Sequence, residues 1–261
     1  MGVINYFYNN ILLKRLFSSI ILIFFALYLN NKGGIFFFIA TFFALVVLSI
    51  ELYKIFDIKI YQPIFFKNIL FYATFFILIY LNLYSFFFIA YAFGFIVSFL
   101  ILKHKYSFIL LSYTYILLPL ILLLLLSKSD HGKIIIYWMF IVVWTTDISG
   151  YFFGKLIGGP KLFPAVSPNK TWSGLIFGVI ISGLGSILFS YFLGFGGYIN
   201  FFIMGSLGAI ITTAGDLFES KLKRMNNKKD ASNFIPGHGG LLDRLDGFLF
   251  AILYFYILSL L

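Results

Sequence analysis

Cysteine is absent from the 261 residues, and charge is scarce. Without a thiol the chain has no disulfide and no thiolate-bound zinc. Charged residues make up 11% of the chain, where a soluble domain carries roughly 25%. No repeat of fixed period is visible, and no small-residue cleavage site follows the first apolar run. That run is therefore expected to stay as a membrane helix. What fills the chain instead is apolar: hydrophobic residues are 62% and aromatics 22%, with 37 Phe. A water-soluble fold has no means of hiding so much Phe, Ile and Leu. Lipid must cover it, and one polytopic membrane domain is expected. The net charge of +10 invites a nucleic-acid partner. However, the basic residues lie in short clusters between apolar runs, with no continuous basic face, so no nucleic-acid binding is expected.

A helix crossing ~30 Å of hydrocarbon needs about 20 residues. Such runs are expected at Leu16–Leu29, Ile35–Ile50, Ile69–Leu81, Tyr84–Leu102, Ser107–Leu126, Ile134–Gly154, Trp172–Leu193, Tyr198–Leu217 and Leu241–Leu261, giving an all-α bundle of nine spans. With the N-terminus cytoplasmic, all 19 Lys and Arg fall on the inner side except Lys32, Lys128 and Lys133. That bias sets the expected orientation. The weakest boundary is the break at Asn82, where a re-entrant element would change the count. Residues 1–133 read as apolar helices with generic loops. Residues 134–261 read as the catalytic part of the same membrane domain, because polar groups gather there at span ends and in two inner loops.

Asp147 lies within the sixth span. A carboxylate in a membrane segment costs about 3 kcal/mol and normally faces a bundle interior or a wet cavity. The plainer alternative is a side chain reaching an interface or a lysine. The following loop, Gly158 to Trp172, combines Gly and Pro with Lys161, Ser167, Asn169, Lys170 and Thr171. An irregular backbone with free N–H groups before a helix suits phosphate, although Ser and Thr in that place also serve as plain helix caps.

The third segment runs from Gly215-Asp216 through Glu219, Ser220, Lys223 and Arg224 to Lys229-Asp230, then from Pro236 through His238, Gly239 and Gly240 to Asp243, Arg244 and Asp246. On a helix Asp216 and Glu219 share a face, and so do Asp243 and Asp246. Carboxylates gathered at one interface repel unless a cation sits among them. Hard oxygen donors without thiols point to Mg²⁺, and the neighbouring Lys and Arg suit phosphate oxygens. This is the equipment of phosphoryl or nucleotidyl transfer. The competing possibilities are a positive-inside anchor for the basic run and helix capping by Asp243 and Asp246.

This segment closely resembles the signature of the phosphatidate cytidylyltransferases, the CDP-diglyceride synthases. Ser220, Leu222, Lys223, Arg224, Lys229, Asp230, Pro236 to Gly240, Asp243, Arg244 and Asp246 stand where that pattern has its fixed positions. Asp147 to Tyr151, Ser167 to Trp172 and Gly215 to Leu217 are also similar to the family. Departures are Ser173, where many relatives carry Glu, Ser232 in place of Gly, and Phe234-Ile235 in place of a Leu pair.

The resemblance implies a bacterial inner-membrane enzyme joining CTP and phosphatidate into CDP-diacylglycerol and pyrophosphate with Mg²⁺ at the cytoplasmic face, as a homodimer. It implies Asp216, Asp243 and Asp246 as metal-site acids, with Asp147 as a fourth candidate. It also implies that Lys223 and Arg244 act with them in catalysis. Ser167, Asn169, Lys170, Thr171, Ser220, Arg224, Lys229, His238, Gly239 and Gly240 are the implied substrate-binding residues. The alternatives are another CTP-dependent lipid enzyme, such as a lipid-alcohol kinase, and an ion-coupled transporter.

Overall fold

The computed structural model describes residues 20–58, 63–101, 106–232, 234 and 239–261. It is a helical membrane protein. Among the described residues, five helices are long and apolar enough to cross a bilayer: Gly34–Ile55, Phe108–Lys128, Gly132–Leu156, Trp172–Leu193 and Tyr198–Met225. Shorter apolar helices cover Ile20–Lys32, Phe65–Tyr80 and Ile89–Leu100. The chain divides into two compact units: residues 1–125 with 230–244, and residues 126–229 with 245–261.

The first unit contains α1 (Ile20–Lys32), α2 (Gly34–Ile55), α3 (Pro63–Tyr80), α4 (Tyr84–Ile101), α5 (Tyr106–Leu111) and most of α6 (Leu118–Lys128). The break at Asn82 separates two helices, and Asn82 takes φ 60, a left-handed conformation that Asn tolerates. Between α5 and α6 the helix widens into a π segment, Ser112–Leu117. Pro119 accounts for it: its ring displaces the carbonyl four residues back and it has no N–H to offer. The widened turn is held by a buried polar network. Tyr91 Oη donates to the Tyr113 carbonyl at 3.1 Å. Asn68 links the Tyr53 hydroxyl (2.9 Å) to Ser98 (3.0 Å), and Ser98 contacts the Tyr113 hydroxyl at 3.0 Å.

The second unit contains α7 (Gly132–Leu156), a hairpin of β1 (Lys161–Phe163) and β2 (Ser167–Thr171), α8 (Trp172–Leu193), α9 (Tyr198–Met225) and all but the start of α10 (Leu242–Leu258). Lipid tails give apolar helices no reason to prefer each other, so close backbone approach and hydrogen bonds must hold them together. Both are present. A Cβ at Gly174 would lie 2.6 Å from the Gly150 carbonyl oxygen, and one at Gly205 would lie 2.0 Å from Ser186 Oγ. Thr145 and Thr146 contact Ser182 at 2.9 and 2.8 Å, and Trp138 Nε1 donates to Ser186 at 2.8 Å.

The segment read from its Gly and Pro as irregular is instead an antiparallel hairpin, closed by a turn in which Val166 N–H donates to the Phe163 carbonyl. Pro164 suits the second position of that turn. Thr171 caps α8, its hydroxyl accepting from Gly174 N–H at 3.2 Å. Thr171→Ala is therefore expected to destabilise the protein by about 1 kcal/mol, read as a lower melting temperature in detergent.

Candidate active site

α9 is the longest of the described helices, 28 residues, and runs eight residues past the apolar stretch that the sequence marks as a span. Its last turns are thereby kept helical, and the spacing of their polar residues becomes a spatial arrangement. Asp216 stands three and four residues before Glu219 and Ser220, and these stand four and three before Lys223, so the four residues share one side. Ser220 Oγ donates to Asp216 Oδ1 at 3.4 Å. Glu219 is wholly buried and its Oε2 lies 2.6 Å from Lys223 Nζ, itself mostly buried. Burying an ion pair costs desolvation that the mutual attraction must offset, so Glu219 fixes the Lys223 ammonium in place.

Where α9 meets α10 the backbones touch. A Cβ at Gly215 would lie 2.8 Å from the Asp246 carbonyl oxygen and 3.1 Å from Gly247 Cα, and one at Gly247 would lie 2.9 Å from the Thr212 carbonyl oxygen. Each of these glycines adjoins an acid, Asp216 in one helix and Asp246 in the other. The crossing thus brings the two acids together. Asp216, Glu219 and Asp147 all stand close enough to Asp246 for their charges to act on it, Asp216 most strongly. Lys170, from the end of β2, forms an ion pair with Asp216. The Asp246 carboxylate also accepts from Gly247 N–H at 2.7 Å.

Four carboxylates, those of Asp147, Asp216, Glu219 and Asp246, gather here, with Lys170 paired to Asp216 and Lys223 to Glu219. Carboxylate oxygens are hard donors of the kind that suits a divalent cation such as Mg²⁺. Among the described residues no three His, Asp or Glu side chains are already drawn together around one point. Asp216 is engaged by Lys170 and Glu219 by Lys223.

The second unit therefore assembles Asp147, Lys170, Asp216, Ser220, Lys223 and Asp246 from the sequence-derived set. Asp147 is exposed rather than buried. Arg224 is exposed and donates to the carbonyls of Val166 (3.5 Å) and Lys228 (3.2 Å), tying the end of α9 to the hairpin. Ser167 is half-buried on β2, while Asn169 and Lys229 are exposed. Thr171 is spent on capping α8. Ser173, the departure from the family pattern, contacts Thr171 Oγ1 at 2.9 Å and donates to the Gly158 carbonyl at 2.5 Å.

In the first unit, Asp243 accepts from Ala231 N–H (3.1 Å) and Gly240 N–H (2.7 Å). That is the capping role open to an acid at a helix start. Gly239 has φ 82, and a Cβ there would lie 2.8 Å from Asp243 Oδ2. The Gly-Gly pair thus lets the loop close on that carboxylate. Arg244 is exposed. His238 lies outside the described residues. Glu219 was seen in the sequence only as a neighbour of Asp216, and its buried pairing with Lys223 adds it to the site. Glu51 carried no signal at all.

The chain matches the cytidylyltransferase family over residues 13–261. It is 42% identical over 134 residues to a protein named phosphatidate cytidylyltransferase from Brucella abortus, a match covering 51% of this chain and 50% of that protein. A protein of the same name from Rickettsia felis is 37% identical over 161 residues, covering 59% of this chain and 71% of the relative. The match thus spans about half the length of the Brucella relative.

Proposed function

Since the chain belongs to the cytidylyltransferase family, we propose that it transfers a cytidylyl group from CTP to phosphatidate, giving CDP-diacylglycerol and pyrophosphate at the cytoplasmic face of a bacterial inner membrane. The observation that carries this reading is the meeting of Asp216 and Asp246 at the Gly215–Gly247 crossing, with Lys170 and Lys223 beside them. The lipid substrate comes from the names of the Brucella and Rickettsia relatives.

An oxygen of the phosphatidate phosphate attacks the α-phosphorus of CTP. The bond from that phosphorus to the β-phosphate oxygen breaks, and pyrophosphate leaves with the electron pair. A phosphate monoester is largely ionised near neutral pH, so no strong base is required. The protein's task is then to position two anions and to offset the charge that develops. Asp216 and Asp246 are the residues that would hold Mg²⁺, which when bound supplies charge neutralisation on phosphate oxygens.

Lys170 exchanges its Asp216 partner for a nucleotide phosphate as substrate enters, and this frees Asp216. Lys223, held by Glu219, presents a fixed positive charge. The acyl chains stay in the bilayer while the head group reaches the site.

The test is pyrophosphate release from the purified protein, which should require CTP and phosphatidate together. Release of CDP instead of pyrophosphate would identify a lipid kinase and overturn the assignment. Lys170→Gln removes a charge-assisted phosphate contact of about 1.5–3 kcal/mol. Its kcat/KM for CTP should fall by roughly 10- to 100-fold, measured by initial rates.

A further inference from the structure

Glu51 lies in α2, four residues before that helix ends at Ile55, in the half of the chain whose sequence shows no chemistry. It is 1% exposed. A carboxylate so far from water is costly unless its oxygens are satisfied, and here they are. Oε1 accepts from Leu241 N–H at 2.9 Å and from the Ser232 hydroxyl at 2.5 Å, and Oε2 accepts from Leu242 N–H at 2.6 Å.

Leu241 and Leu242 open α10, and N–H groups at a helix start have no carbonyl of their own helix to meet. Negative charge is also favourable at that end. The cap is ordinarily a local side chain. Here it comes from a helix 190 residues earlier. Gly240 records the same approach: a Cβ there would lie 2.8 Å from Glu51 Oε1 and 2.9 Å from Oε2. Any other residue at 240 would push the carboxylate away.

Two acids thus share the entry to α10. Asp243 takes the amides of Ala231 and Gly240, and Glu51 takes those of Leu241 and Leu242 together with Ser232. We infer that Glu51 is a positioning residue for cytidylyl transfer: it anchors the first turn of α10, and with it the directions of Asp243 and Arg244, without touching substrate. Asp246 follows one turn later in the same helix. The kinetic consequence rests on the cytidylyltransferase reading, whereas the anchor itself does not.

The experiment compares Glu51→Ala, Glu51→Gln and Gly240→Ala in the full-length protein by hydrogen exchange and by kinetics. In Glu51→Ala, the peptide covering the start of α10 should exchange at least tenfold faster while peptides of α7 and α8 keep their protection. Its kcat/KM for CTP should fall about tenfold or more, with KM raised because Arg244 loses its orientation. Glu51→Gln keeps one acceptor oxygen and should recover part of both effects, and Gly240→Ala should reproduce the Glu51→Ala pattern.

Unchanged exchange at α10 in Glu51→Ala overturns the anchor. Uniformly faster exchange across all helices with KM fixed overturns the positioning role, because general unfolding removes active molecules without altering those that remain. A parent protein that turns over no CTP would defeat the proposed function, and the exchange pattern would still decide the anchor.

Discussion

Asp246→Asn lowers kcat by about 10³-fold or more, and the variant melts no lower than the parent. The loss follows from the place of Asp246 among the acids. It is the carboxylate on which Asp216, Glu219 and Asp147 all act, and the loss of a metal-site acid removes several kcal/mol of transition-state charge stabilisation. At 1.4 kcal/mol per tenfold, that is about 10³-fold in rate. The stability half of the expectation separates function from folding. Asn has the shape of Asp and can still accept from Gly247 N–H, while the repulsion that Asp216, Glu219 and Asp147 exert on a carboxylate at this position is gone. A site that gathers like charges gives up stability to do so, so relieving it should leave the melting temperature equal or raised. Circular dichroism melts alongside pyrophosphate-release rates check both halves. Full activity in Asp246→Asn sinks the assignment of this acid.

Gly215→Val should cost about 10²-fold in kcat although it alters no charged group. Its side chain would have to occupy space held by the Asp246 carbonyl oxygen and Gly247 Cα, so α9 and α10 must part. A displacement near 1 Å in a catalytic constellation typically costs about 10²-fold. Ala214→Val is the control, one residue earlier on the exposed face of the same helix, and should keep parental activity. If Gly215→Val retains parental kcat with α9 and α10 intact by hydrogen exchange, close approach at this crossing is not what aligns the acids.

The helical membrane architecture was legible because its signal is one-dimensional. An apolar run reports its own lipid environment, and α8 begins and ends at the residues that the hydrophobicity marks, Trp172 and Leu193. The acids and lysines of α9 were legible for a similar reason, since helical spacing alone places Asp216, Glu219 and Lys223 on one side.

What escaped depends on contacts distant in sequence. The hairpin from Lys161 to Thr171 has too few residues to show an alternating pattern, and its Gly and Pro content reads as irregular loop. Glu51 sits in an apolar helix beside Lys54, like any interfacial charge. Only its meeting with Leu241 and Leu242 gives it a role. For Asp243 the residues left metal binding and helix capping both open. The structure supplies the capping contacts, with Ala231 and Gly240.

The most direct measurement follows two labels through one turnover. Purified protein with phosphatidate and Mg²⁺ receives CTP carrying label at the α- or the γ-phosphate. Cytidylyl transfer puts the α-label into the lipid product and the γ-label into pyrophosphate. A γ-label found in lipid, or no label in lipid from either position, would contradict it.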